Sequence, residues 1–285
     1  MAITATANER FASVAPWAIA KALLKALAAR VRLQHLLFLG FTLISVIPVL
    51  ILGMWVQRAA VEKEMSMVHE KHLLLAQNLS GALTRYITDI EAVFQLALTT
   101  ASAGYPTDAI ETLFAALNMK HVCIVDAQGR VVGYIGPRTQ PAPSAVPAAL
   151  MEKLVPMARA AAGEVAFSPG MLDSSKEPTI FLVRNLPDGR MGLGAISTAY
   201  LVQLQKAISF GARGHAAILD STGRVLAHPM AAWRNEMKDL SPLYPVQEMI
   251  SGRTGVATFY SPAMKADMIA GYTSVPKVGW GVMVP

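Results

Sequence analysis

Cys123–Val132, CIVDAQGRVV, and Ala217–Leu226, AILDSTGRVL, are one pattern written twice. Ile124, Asp126, Gly129, Arg130 and Val131 recur as Ile218, Asp220, Gly223, Arg224 and Val225, at a constant offset of 94 residues. Each copy reads as two apolar strand segments joined by a tight turn. Asp126 and Asp220 fall where a turn carboxylate accepts nearby backbone N–H groups.

Working outward, GEVAFSP (Gly163–Pro169) resembles GVATFYSP (Gly255–Pro262), with one residue inserted. A weaker match relates the Pro187 to Gly194 region to Pro276–Gly281. The chain therefore carries a tandem duplication. Each copy runs hairpin, Pro-rich loop, helix and three further strands, which predicts two five-stranded antiparallel sheets with helices on one face. The expected helices are Val146–Ala162 and Pro245–Ser251. The later strands are Glu164–Phe167, Thr179–Asn185 and Met191–Ser197, then Val256–Tyr260, Met268–Ser274 and Gly281–Val284. Ala199–Ser209 reads as a helix linking the copies.

Ahead of the duplication lies Leu33–Gln57, LQHLLFLGFTLISVIPVLILGMWVQ, without Lys, Arg, Asp or Glu. As a helix it is long enough for a hydrocarbon core of about 30 Å. The 32 residues before it carry Arg10, Lys21, Lys25, Arg30 and Arg32 against Glu9. Of the net charge of +6, this arm holds +4. Retention of Lys and Arg on the cytoplasmic side puts the arm inside and the larger part of the chain outside. A cleaved signal peptide is the competing reading, but the apolar run exceeds the roughly 7–15 residues of such a segment. The segment Ala18–Leu33 is a basic amphipathic pattern suited to the inner leaflet. The part after the span is only +2 and has no dense basic run, so nucleic acid is not an expected partner.

Residues 58–101 read as a single helix, with apolar side chains at three/four spacing from Leu75 to Ala97 and a stop at Gly104-Tyr105-Pro106. About 44 residues at 1.5 Å each is roughly 65 Å. Such a helix must pack on its own domain, on a second copy, or on both. A shorter helix, Thr107–Asn118, follows.

The expected organisation is a basic cytoplasmic arm (1–32), a transmembrane helix (33–57), a stalk helix (58–104), a first module (105–198), a linking helix (199–210) and a second module (211–285). The fold class is α+β. A membrane helix, a stalk helix and two PAS-like modules together resemble the double Cache sensor domains of bacterial receptors. The second copy is the most telling: AILDSTGRVLAHP, GRTGVATFYSP and AGYTSVPKVGWGVMVP are similar to the family's D-x-x-G-x-(V/L)-x-x-H-P, G-x-x-x-x-x-Y and V-P-x-x-G-W-x-(V/L) elements. The resemblance covers about residues 56–285. It implies a periplasmic sensor in a bacterial inner membrane that binds a solute in the membrane-distal first module. Its output would be a histidine kinase, a cyclic-di-GMP enzyme or a chemoreceptor, and it would form a homodimer through the stalk. The chain ends at Pro285 beside a strand and shows no second span or catalytic domain, which favours the input part of a longer receptor.

The family's amino-acid-binding pattern places a Tyr, an Arg and a Trp-Tyr pair on the helix and loop of the first module. Here Ile135–Ala162 holds Arg138 and Arg159 but no Trp or Tyr, so an amino-acid ligand is not supported. The candidate ligand residues are Tyr134, Arg138, Asp173 and Arg184, and the expected ligand is a small organic anion. Arg184 follows the apolar run Ile180–Val183, where a guanidinium can pair bidentately with a carboxylate. Strand alternation allows it to point to the other face instead. His69 and His72 have a metal-compatible spacing but lack further ligands, so a solvated helix face is expected. His228-Pro229 reads as structural. Cys123 reads as a small buried hydrophobe. No cofactor is expected. No G-x-S-x-G or H-E-x-x-H occurs, which weakens a tethered hydrolase. A module that binds protein rather than solute is the other alternative.

Overall fold

The computed structural model describes residues 32–103, 108–137, 141–210 and 214–285, together with Lys21. Nearly all of the basic arm, the Gly104–Pro106 stop and Arg138 lie outside the described residues. Residues 1–64 and 65–285 are separate compact units.

The first helix, α1, is Leu33–Ala103 and runs without interruption through Pro48. The apolar side chains between Leu33 and Val56 are exposed. By length and composition this segment can cross a membrane, its most apolar window having a mean hydropathy of 2.6. A shorter helix, α2 (Asp108–Leu117), leads into the first sheet. That sheet contains β1 (Met119–Val125), β2 (Val131–Ile135), β3 (Ala166–Phe167), β4 (Met171–Leu172), β5 (Pro178–Asn185) and β6 (Met191–Ser197). Helix α3 (Ala148–Ala160) interrupts it after β2, and α4 (Ala199–Ala207) follows β6.

After the short ribbon of β7 (Ser209–Phe210) and β8 (Gly214–His215), the pattern returns. The second sheet comprises β9 (Ala217–Leu219), β10 (Val225–Ala227), β11 (Gly255–Ser261), β12 (Ala266–Val275) and β13 (Trp280–Val284). Helices α5 (Ala231–Asn235) and α6 (Tyr244–Ile250) lie between β10 and β11. All pairings are antiparallel. The strand order is β2-β1-β6-β5-β3 in the first sheet and β10-β9-β13-β12-β11 in the second. The duplication read from the sequence is thus a duplicated topology. The first copy adds one short strand, β4, on the edge of β5.

The repeated D-x-x-G turn explains itself at the backbone. Gly129 and Gly223 sit at φ of 78° and 88°, a region that glycine enters at no steric cost. Their N–H groups donate to the carbonyls of Asp126 and Asp220.

The expectation of helices on one face needs correction, because both faces of both sheets are covered. Ile180, Leu182 and Ile196 share a core with Leu83, Ile87 and Phe94 of α1, and Ile218, Trp280 and Val282 of the second sheet belong to that same core. The opposite face of the first sheet packs Phe181, Val183 and Leu193 on Leu154 and Ala158 of α3. The opposite face of the second packs Leu219 and Tyr272 on Val246 and Met249 of α6. A strand buried on both faces reads as an unbroken apolar run rather than an alternating one, and Ile180–Val183 is such a run. The approach to α1 is close. A Cβ at Gly192 or Gly194 would meet Leu98 or Phe94, and one at Gly271 would meet the backbone of His72 and Leu73. Polar staples reinforce it: Ser80 Oγ donates to the Ser274 carbonyl at 2.9 Å, and Lys277 pairs with Glu91.

In the His228-Pro229 element the histidine is buried and the proline exposed. His228 stacks on Trp233 at 4.7 Å and meets His215 edge-on at 5.1 Å. Its Nδ1 accepts the Met230 N–H. Burial, then repulsion by His215 and Arg234, pushes its pKa down to about 4. The unfolded chain, titrating near 6.5, therefore binds the extra proton between pH 6.5 and 4. Stability should fall as pH drops through that window and be unaffected above it. We expect a loss on the order of 2 kcal/mol, from the shift discounted for solvent screening. Urea titrations at pH 7.5 and 4.5 should show it, with His228→Phe removing that part of the loss. An equal loss in the variant would show that His228 is not its source.

Candidate functional site

The first sheet, the N-terminal part of α3, the loop around β4, and Arg224 and Met237 of the second repeat line an open cavity of about 1000 Å³. Its floor is the face of β1, β5 and β6 that carries Cys123, Phe181, Leu193 and Ala195. Its charged side chains are Lys120, Lys153, Asp173, Glu177 and Arg224.

His121 shares the cavity face with Cys123 by alternation along β1, and Lys120 joins them because the strand is irregular. Met119 pairs with Ile196 and His121 with Ala195, leaving Lys120 as an extra residue between them. A bulge of this kind re-aims side chains. Lys120 and His121 both line the cavity, which strict alternation forbids. Lys120 Nζ then reaches Asp173 at 2.6 Å and Glu177 at 2.7 Å. Burial works against the ammonium, but these two partners outweigh it and hold its pKa above the usual lysine range. Burial likewise opposes the Asp173 carboxylate, and Lys120 with the Glu177 and Ser175 N–H groups brings its pKa below normal.

Asp173 is fully engaged. Its Oδ1 accepts the N–H groups of Ser175 and Glu177, and its Oδ2 accepts Lys120 and Thr179. One carboxylate therefore shapes the β4–β5 loop and anchors the lysine. His121 stacks on Tyr134 at 5.9 Å. Burial, followed by Lys120, keeps its ring pKa low. Burial pushes the Cys123 thiol up to about 12, so that group is an inert part of the floor.

Of the four residues singled out in the sequence, Asp173 lines the cavity and Tyr134 stands behind His121 on the same side of the sheet. Arg138 lies outside the described residues. Alternation puts Arg184 on the face of Ile180 and Leu182, turned to α1, and its Nε donates to the Gly163 carbonyl at 2.7 Å. It is not among the cavity residues. Lys120 escaped the sequence reading because a bulge leaves no local signature, and His121 because nothing local says which face of β1 meets the cavity. Lys153 and Arg224 escaped it because each looks like an exposed charge on a helix or a turn.

No protein-family model and no curated protein sequence matches this chain. Solved structures do. The extracellular domain rpHK1S-Z16, ascribed to a histidine kinase, superposes with a TM-score of 0.63 at 16% identity, over 77% of this chain and 94% of that one. The ligand-binding domain of the Pseudomonas fluorescens chemoreceptor CtaA, solved with L-isoleucine, gives 0.53 at 19%, over 80% and 94%. That of the Pseudomonas aeruginosa PAO1 amino acid chemoreceptor PctB, solved with L-Gln, gives 0.53 at 16%, over 75% and 89%. The fold is that of a double Cache domain. At these identities the likeness is one of architecture, and the chemistry of the cavity has to be read from this chain's own residues. In the double Cache frame the cavity belongs to the first module, and the equivalent face of the second is filled by Val246 and Met249 of α6.

Proposed function

We propose that this chain is a membrane-anchored extracytoplasmic sensor that binds a small solute in its first module and signals across the membrane. The observation that carries the reading is the cavity of about 1000 Å³, set on the Phe181 face of a double Cache fold and walled by charged side chains. Such a volume suits a small molecule fixed by a few polar groups. In this reading residues 33–57 span the bacterial inner membrane with the basic arm, 1–32, in the cytoplasm. Residues 58–104 form the stalk, 105–198 the membrane-distal module, 199–210 the linking helix and 211–285 the membrane-proximal module. The charge asymmetry across the apolar segment supports that orientation. Val61, Met65 and Val68, exposed at helical spacing on α1, support a homodimer through the stalk. The chain has no catalytic role of its own in this scheme. It is the input part of a receptor of the histidine kinase or cyclic-di-GMP type. The solute biases the receptor only by binding one stalk arrangement better than another.

Calorimetry on the full chain in lipid nanodiscs tests the binding step, with a panel of small organic acids, amines and polyols. At least one compound should bind saturably. Ala149 is exposed on α3 and lines the cavity, so Ala149→Trp fills the mouth without overpacking the core. Binding should weaken by about tenfold or more, the equivalent of one good polar contact. A panel without any binder, or a tryptophan variant that binds as well as the wild type, would overturn the reading.

A further inference from the structure

The duplicated turn supplies an internal control for one residue. In the first copy, Arg130 Nε donates to Asp126 Oδ2 at 2.7 Å, so the arginine folds back on its own turn. In the second copy the same carboxylate oxygen is spent elsewhere. Asp220 Oδ2 accepts the Gly170 N–H at 2.9 Å, and Gly170 belongs to the loop that opens β4 in the first module. Asp220 Oδ1 meanwhile accepts Thr222 N, Thr222 Oγ1 and Arg224 N. No ion pair joins Arg224 to Asp220. The backbone of Arg224 is held all the same, since its carbonyl accepts the Asp220 N–H at 2.8 Å. Arg224 is exposed and is among the residues that line the cavity of the first module.

The charges around that cavity are unequal in availability. Its two carboxylates, Asp173 and Glu177, are both taken by Lys120. Its two further cations, Lys153 and Arg224, have no ion pair among the described residues. Arg224 helps to lower the pKa of Asp239, after hydrogen bonds from Ser241, but lies beyond ion-pair distance of it. The cavity therefore offers spare positive charge and no spare negative charge.

We propose that Arg224, carried by the second module, is a ligand-contacting residue of the cavity in the first, and that the solute bears a carboxylate or similar anionic group that pairs with it. The inference rests on the solute-binding reading above. A guanidinium presents a planar fork of donors that fits a carboxylate with two parallel bonds, which an ammonium cannot reproduce. Because Asp220 binds Gly170 and positions Arg224 at once, a bound acid would be gripped by both modules.

The test uses the full chain in nanodiscs, titrated with acetate, succinate, citrate and benzoate, and with glycerol and putrescine as uncharged and cationic counterparts. At least one acid should bind, and glycerol and putrescine should not. Arg224→Ala should weaken that acid by about tenfold or more, the effect of losing a charge-assisted pair, with Arg224→Lys intermediate. Arg130→Ala, at the equivalent place in the first copy, should bind as the wild type does. Melting temperatures of the Arg224 variants should match the wild type, because the side chain is exposed. An acid that binds the wild type and Arg224→Ala equally would overturn this inference and leave the sensor reading standing. Preference for putrescine would do the same. A wild-type chain that binds none of the six probes would overturn this inference, and the wider panel above would decide the sensor reading.

Discussion

Gly271→Ala is expected to unfold the second sheet from its helix. A Cβ at this position would lie 2.3 Å from the His72 carbonyl carbon, 2.4 Å from its oxygen and 2.4 Å from the Leu73 nitrogen. These are backbone atoms inside a continuous helix and cannot rotate aside. Either β12 moves away from α1 or the helix bends. In the first case the core of Ile218, Trp280 and Val282 against α1 opens. In the second the bond between His72 Nδ1 and the Ile269 carbonyl is lost. Overpacking a core costs about 1–3 kcal/mol where side chains can adjust, and more where they cannot. We expect a loss above about 3 kcal/mol by urea titration followed through Trp280, which is buried. Gly81→Ala is the matched control on the same helix, since its Cβ meets nothing nearer than the Arg85 guanidinium at 4.0 Å. It should stabilise by about 0.5–1 kcal/mol through helix propensity. If the two substitutions shift stability alike, the close contact of β12 on α1 is wrong.

The second large effect separates the two copies of one turn. Asp220 is fully buried, and its carboxylate accepts four donors from two modules. Asp220→Ala leaves the N–H groups of Gly170, Thr222 and Arg224 without that acceptor. The Gly170 contact is buried and those of Thr222 and Arg224 are half-buried; a buried donor stripped of its partner costs about 1–3 kcal/mol before relaxation, and a half-buried one less. The loss should reach about 3–4 kcal/mol once water reaches some of them. Asp126 makes the same turn contacts to Gln128 and Arg130, but they are exposed and reach no other module. Asp126→Ala should cost about 1 kcal/mol. Equal losses in the two variants would mean that the link from Asp220 to Gly170 contributes nothing. Asp220→Asn keeps the size but turns an amide toward one of the donors, and should fall between the two.

The element order was legible because local signals repeat. Met191–Ser197 is found with the bounds read from the sequence, and most other strands shift by one or two residues at an end. The D-x-x-G turns were legible because only glycine enters that backbone region cheaply. What stayed hidden depends on contacts between distant segments. The unbroken run Ile180–Val183 could have shown that both sheet faces are covered, but not by which helices. The bulge that brings Lys120 beside His121 arises from pairing with β6. The divergence of Arg224 from Arg130 is set by Gly170, 54 positions upstream of that arginine. Arg184 reads as a ligand group from its place after the apolar run Ile180–Val183, and alternation decides the face it takes. The hydrogen bond to Gly163 instead ties it to the end of α3.

The shared inner core has a consequence for how such a protein can be rebuilt. One helix, α1, seals the same side of both sheets, so neither copy owns a complete interior. A cut at the linking helix would leave the second copy with an uncovered apolar face, even though its strands and α6 are intact. Chimaeras that exchange one copy between proteins of this fold would have to transplant the helix as well. The ancestral doubling therefore produced an inseparable pair sharing one spine.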